Sequence, residues 1–309
     1  SFGSYNTRKH TVKFSTGLLN DHFEIAGRLS NIASDGYIDR AAADLKSYFL
    51  QGSYIDDNTL IKAIMFGGKE VTYQSWYGLE DVEKLENDRT YNIAGEYTDD
   101  DGNTQFYDNE VDNYNQDHYQ LHWNQRYNSQ WSTTLGLNYT YCRFYFEQFK
   151  EDEDFDTYGF EPFDFNGETV NTTDLIRRRW LDNNFYVVNA NANYKANNLN
   201  LIFGGSFSHY DGDHFGEVIW AEFASQSEIR DRYYDGNSIK NELSVFAKAN
   251  YRLNEKISLY GDLQVKNVNY KTTCTTSDIL DFEVNKDFTF FNPKAGVTYD
   301  LNDRNNLYF

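Results

Sequence analysis

The sequence predicts an all-β protein, an antiparallel transmembrane β-barrel contributing about twelve strands. Three observations predict it. Apolar residues recur at every second position in most candidate strands. The connections between those strands alternate, short then long, along the whole chain. No apolar run approaches the roughly 20 residues of a membrane helix, whereas a barrel hides its apolar face at every second residue and needs no such run.

The strands are expected at 7–19, 22–33, 45–56, 59–69, 116–128, 130–148, 180–196, 198–210, 239–253, 256–270 and 288–301, with a last one beginning near Asn306. In the seventh, Val188, Ala190, Ala192 and Tyr194 share one phase against Asn189, Asn191, Asn193 and Lys195. Leu243 to Tyr251, Ile257 to Val265 and Ala295 to Leu301 alternate in the same way. The short connections are Asn20–Asp21, Asp56–Asn58, Asn128–Gln130, Asn197–Asn198, Leu253–Glu255 and Asn302–Asn305, rich in residues that tolerate tight turns. The long ones are 34–44, 70–115, 149–179, 211–238 and 271–287. Short turns on the periplasmic side and long loops outside are the barrel's arrangement. The apolar phase then faces lipid and the amide phase a polar lumen. Trp131 beside a short turn and Trp180 at a long-loop root suit aromatic belts at the two interfaces.

Composition narrows the classes. Of 309 residues, 39% are hydrophobic and 18% aromatic, with two Pro and one Met, which disfavours helical and doubly wound folds. A net charge of −20 excludes the basic footprint of a nucleic-acid binder and of a polybasic lipid-surface binder. Cys142 and Cys274 form no CxxC and no metal spacing, and a disulfide between them stays open. With no repeat of fixed period and no Pro- or Ser-rich linker, residues 1–309 read as one continuous barrel domain.

Three phrases carry a family likeness: "SFGSYNTRKHTVKFSTGLLNDHFEIAGRLSNIASDGYIDR" from Ser1, "YDGDHFGEVIW" from Tyr210, and "FFNPKAGVTYDLNDRNNLYF" from Phe290. They resemble the barrel of TonB-dependent outer-membrane receptors, Bacteroidetes members above all, over essentially the whole chain. The resemblance implies a 22-stranded barrel with a plug in its lumen, of which residues 1–309 are an interior piece lacking plug and remaining strands. It implies residence in the bacterial outer membrane and contact with its lipid and lipopolysaccharide. It implies a TonB energy-transducing partner acting through the plug, a small-molecule substrate such as a ferric siderophore or haem, and in some members a surface lipoprotein. No cofactor is implied.

Candidate binding residues sit in the expected outer loops. Tyr73, Trp76 and Tyr77 could stack on a flat ligand or simply join an aromatic girdle. Arg177, Arg178 and Arg179 could steer anions at the barrel mouth, or pair with acidic loops or lipopolysaccharide phosphates. His209, Asp211, Asp213 and His214, with Glu217, could hold a metal, although the spacing matches no standard site; the alternative is a polar turn around Gly212. Trp220 closes that stretch. The acidic runs Asp99–Asn113 and Lys150–Glu168 read as solvated loops, with loose calcium binding as the other reading. No catalytic set stands out, and the chain is not read as an enzyme. The function expected is active uptake of an iron complex. Cobalamin or oligosaccharide uptake by the same family and a non-transport adhesin barrel are the alternatives.

Overall fold

A computed structural model describes residues 1–79, 82–275, 280–302 and 304–309. In chain order its elements are β1 (Arg8–Ser15), β2 (Phe23–Ser34), β3 (Ala43–Ile55), β4 (Thr59–Tyr73), α1 (Val82–Asn87), β5 (Glu96–Thr98), β6 (Thr104–Phe106), β7 (Val111–Arg126), β8 (Trp131–Asp154), α2 (Phe155–Tyr158), β9 (Phe163–Phe165), β10 (Glu168–Val170), β11 (Thr172–Lys195), β12 (Leu199–Ala221), β13 (Arg232–Arg252), β14 (Ile257–Thr275), β15 (Asp281–Asn302) and β16 (Asn305–Tyr308). Twelve of these strands form one antiparallel sheet in the order β1-β2-β3-β4-β7-β8-β11-β12-β13-β14-β15-β16. The hairpins β5–β6 and β9–β10 stand apart from it, within long connections.

The short connections are closed by the chemistry that predicted them. Asp56 accepts the amide N–H groups of Asn58 and Thr59, both at 2.7 Å. Asn128 does the same for Gln130 and Trp131, and Asn254 for Lys256 and Ile257. Asn20 and Asp21 take positive φ. Each is a short polar side chain that substitutes for a missing backbone acceptor or tolerates the left-handed region. Residue 303 of the Asn302–Asn305 turn, 80–81 of the connection 70–115 and 276–279 of the connection 271–287 lie outside the described residues.

Between its belts the sheet is apolar outside and polar inside. Val12, Leu29, Leu243 and Leu263 are each more than half exposed, a distribution that only a non-aqueous surround rewards. The opposite phase is tied by amide and hydroxyl contacts across strands, such as Gln120 to Asn138 and Gln264 to Ser244. On the apolar phase Tyr119, Tyr139 and Tyr186 stack in a row over β7, β8 and β11, with His209 of β12 next in line. Trp131 packs on Tyr194 at the other end. From Tyr194 to Tyr186 is about 26 Å along the strand, or about 20 Å of depth once tilted, close to the apolar band of such barrels.

The strands are longer than the alternation indicated. β8 and β11 have 24 residues each and β12 has 23, about twice what the hydrocarbon needs. Residues 211–221, expected to lie in a loop, are strand, paired to β11 and β13 (Asp211 opposite Asn184 and Ile239). The connection 211–238 therefore shrinks to 222–231 and 149–179 to 155–171. Above the belt neither face meets lipid, so alternation fades while the backbone ladder continues. Every buried hydrophobic side chain among the described residues belongs to this outer half. Phe155, Tyr158, Phe160, Leu175, Val218 and Tyr233 form one cluster, and Tyr73, Ala94 and Val111 another.

The phase assignment makes a direct prediction. Ala190→Arg, on the lipid phase near mid-membrane, should cost about 2–4 kcal/mol, whereas Asn191→Arg, one residue on, should be nearly neutral. Urea unfolding of the full-length barrel in lipid vesicles measures both, and equal losses would contradict the assignment.

Candidate functional site

Three consecutive arginines on a strand cannot share a face. Arg178 lies on the outer phase and donates through Nε to Glu147 at 2.6 Å. Glu147 is almost fully buried and also accepts from the Tyr107 hydroxyl and the Asn109 amide. That network fastens the connection after β4 to β8 and consumes the charge of Arg178.

Arg177 and Arg179 lie on the lumen phase, opposite Gln148 and Phe146 of β8. Arg177 reaches the Gln148 carbonyl oxygen from Nη2 at 2.9 Å and the Tyr158 hydroxyl from Nη1 at 2.9 Å. Gln148 in turn donates to the Tyr77 hydroxyl at 3.2 Å. Arg179 donates to the Tyr233 hydroxyl at 3.2 Å and stands over the rings of Phe146 and Tyr234. Among the described residues neither arginine has a carboxylate within ion-pair distance. Burial pushes the phenols of Tyr158 and Tyr77 up, so both stay neutral at physiological pH and neither cancels a guanidinium charge.

The two tyrosines holding these arginines also wall a cavity of about 550 Å³. Tyr158 and Tyr233 pack at 4.7 Å between ring centroids, Phe160, Val218, Trp220 and Ile229 add apolar lining, and Glu228, Asp231 and Arg232 add charged groups to it. A β-bulge between Gly216 and Glu217 builds this wall. It sets the rings of Tyr233 and Tyr234 over Gly216, where a Cβ would lie 2.4 Å from each. Only glycine leaves that space. Such a cavity can take an apolar or aromatic ligand body, with two cationic groups behind its tyrosine wall.

The structure sorts the sequence-predicted residues into four groups. Tyr77, Arg177 and, through stacking on Tyr77 at 4.8 Å, the exposed Trp76 belong to the mouth cluster. Trp220 lines the cavity. Tyr73 and Arg178 are fasteners: Tyr73 is buried with its hydroxyl 2.8 Å from the Tyr107 carbonyl, and Arg178 is held by Glu147. The remaining four are strand residues, not loop residues. Alternation sends His209, Asp211 and Asp213 to the outer phase, where Asn241 meets His209 and Asn237 donates to both carboxylates at 2.8 Å. His214 takes the opposite phase, and burial pulls its imidazole down. No three metal-ligating side chains converge among the described residues. Gly212 is not in a turn; it leaves room for the Tyr210 hydroxyl to reach Asn183 at 2.9 Å. Asp99 accepts the Asn103 and Asp101 amides and closes the β5–β6 hairpin. The cysteines are free thiols.

Gln148, Tyr158, Tyr233 and Glu110 were missed. The signal for Tyr158 was present in "FDTYG": Gly159 caps α2 with φ of 68° and turns the ring back onto β13. A lone Gln or Glu in a loop carries no such signal.

Comparison with known proteins follows the same lines. The family described as TonB dependent receptor-like, beta-barrel matches residues 9–309. No curated protein matches the sequence. Among solved structures, the unliganded ferric citrate transporter FecA aligns over 99% of this chain and 41% of its own, with 11% identity and a TM-score of 0.67. The ferric yersiniabactin uptake receptor FyuA from Yersinia pestis aligns over 99% and 44%, with 9% identity and a TM-score of 0.64. The copper transporter OprC aligns over 99% and 42%, with 13% identity and a TM-score of 0.61. The chain thus spans less than half the length of each of these three, and the likeness is one of fold.

Glu110 links the connection after β4 to pH. It is buried and accepts the Phe149 amide at 2.9 Å. Burial pushes its carboxyl up to about 7, with Glu147 adding to that and Phe149, Lys150 and Arg177 opposing. A folded pKa raised above the usual carboxylate range gives stability that is full below about pH 4.5 and is lost as pH rises through about 7. Hydrogen exchange of 91–97 and 107–111, corrected for intrinsic rates, should therefore be slower at pH 5 than at pH 8. Glu110→Gln should remove the difference, and pH-independent protection in the wild type would contradict the assignment.

Proposed function

Because the chain belongs to the TonB-dependent receptor family as part of its β-barrel, we propose that it is the barrel portion of an active importer of an anionic iron complex, a ferric siderophore or haem. Barrels of this family sit in the bacterial outer membrane. The proposed uptake draws energy from a TonB complex acting on a plug, and residues 1–309 supply barrel wall and mouth.

One observation carries the choice of ligand. In a chain of net charge −20, Arg177 and Arg179 face the lumen with neutral groups as their direct hydrogen-bond acceptors, the nearest carboxylates being Glu153 behind Tyr158 and Glu110 at longer range. Water-excluding tyrosines beside unpaired guanidinium groups favour an anion with an aromatic or apolar body. Ferric citrate and ferric yersiniabactin transporters among the similar structures agree with that class. A second reading, oligosaccharide uptake, is supported by Trp76, two-thirds exposed and stacked on Tyr77 as a platform for a sugar ring.

A strain lacking the full-length gene, supplied with iron only as defined ferric siderophores or haem, tests the proposal. Growth on one source should return with the intact gene. The Arg177→Gln/Arg179→Gln variant should bind that complex about 10²- to 10⁴-fold less tightly, at charge-assisted hydrogen bonds of about 1.5–3 kcal/mol each. Wild-type affinity in the variant would sink the anion reading. Normal growth of the deletion strain on every iron source would sink the iron reading.

A further inference from the structure

The strand register sets the three arginines of β11 opposite three different chemistries on β8. Arg178 faces the carboxylate of Glu147, Arg177 the amide of Gln148 and Arg179 the ring of Phe146. Gln148 is buried, which a polar side chain tolerates only when its hydrogen bonds are made. Its carbonyl oxygen accepts from Nε and Nη2 of Arg177 at 3.3 and 2.9 Å. Its amide nitrogen donates to Gln74 Oε1 at 3.3 Å and to the Tyr77 hydroxyl at 3.2 Å. Gln74 is also buried and donates to the backbone carbonyls of Val111 and Glu147. The Gln148 amide is therefore held in orientation from behind, and it holds Arg177 in front.

A carboxylate at 148 would hold the same two N–H groups more strongly, as a bidentate ion pair. It would also cancel the charge that Arg177 brings to the lumen. The nearby carboxylates are engaged elsewhere: Glu147 by Arg178, Glu110 by the Phe149 amide and Glu153 by the Tyr158 hydroxyl. Gln148 takes two of the guanidinium N–H groups and Tyr158 a third, which leaves one on each of Nη1 and Nη2 for a ligand. We propose that Gln148 sets the charge class of the ligand, its amide aiming the Arg177 guanidinium without neutralising it. Gln148 is thus a positioning residue that acts through Arg177. The inference rests on the anionic-ligand reading and goes beyond it by naming the position where exchanging an amide nitrogen for oxygen would remove the preference.

Fluorescence anisotropy on the purified full-length receptor in detergent tests it, with two aromatic probes of one shape, methoxypyrene trisulfonate and its uncharged trisulfonamide, each read against empty micelles. The wild type should prefer the trisulfonate. Gln148→Glu should weaken trisulfonate binding about 10- to 10²-fold, the worth of one charge-assisted hydrogen bond, and leave the trisulfonamide within about twofold. In that background Arg177→Gln should cost nothing further, because the charge it removes is already neutralised. Gln148→Met keeps the length and loses the hydrogen bonds, so it should lower trisulfonate affinity about 3- to 10-fold while retaining the preference over the trisulfonamide. Heat-modifiable gel mobility reports that each barrel is folded, and the Met variant decides if Gln148→Glu fails that check. A wild type with no preference for the trisulfonate would sink the anion reading and this inference together. Wild-type trisulfonate affinity in folded Gln148→Glu or Gln148→Met, or additive losses from Gln148→Glu and Arg177→Gln, would overturn the inference and leave the anion reading standing.

Discussion

Backbone amides in hydrocarbon have no water to turn to, and the rest of this structure follows from satisfying them. Each of the ten interior strands of the twelve-stranded sheet pairs on both sides, in long registers such as the 19 consecutive partners of β11 on β12 from Arg177 to Lys195. Pairing fixes the pleat, and the pleat assigns each residue to lipid or lumen. The usual economy of a soluble protein is inverted between the belts: large apolar side chains point outward and amides inward. Among the described residues a conventional buried core reappears only above the upper belt, where water returns and the connections fold back on strand extensions.

Those extensions turn the barrel into a site. The ladder that crosses the membrane continues another ten or so residues, so the mouth is built from rigid strand rather than from mobile loop. Period two then distributes consecutive arginines to opposite faces. Arg178 becomes a fastener on buried Glu147, while its neighbours enter the lumen side with neutral partners. A bulge at Gly216 brings Tyr233 against Tyr158, and these rings both shape the cavity and position Arg179 and Arg177. The positions that set charge at the mouth are thus consequences of register.

The membrane half was legible in the sequence because lipid imposes a pattern on adjacent residues. Val188, Ala190, Ala192 and Tyr194 alternate with asparagines for that reason, and Asp56, Asn128 and Asn254 mark turns because their side chains complete them locally. The outer half was less legible because its constraints are long-range. Asp211 and Asp213 read as loop, yet their strand is held by partners more than 20 residues away. Gln148 acts through Tyr77 and Arg177, 71 and 29 residues distant, and nothing near it in sequence announces that. The arginine run was recognised, but its division into one fastener and two lumen charges needed the strand phase.

The most direct measurement is a spin-label scan along β12, one cysteine at a time from Leu199 to Ala221 in the full-length receptor in lipid, with Cys142 and Cys274 replaced by serine. Odd positions from 199 to 207 should be accessible to oxygen and even positions to a water-soluble relaxation agent. From His209 upward the oxygen signal should vanish on both phases. Alternating oxygen access through residue 221, or none at 199–207, would contradict the account of a strand that crosses the membrane and then continues beyond it.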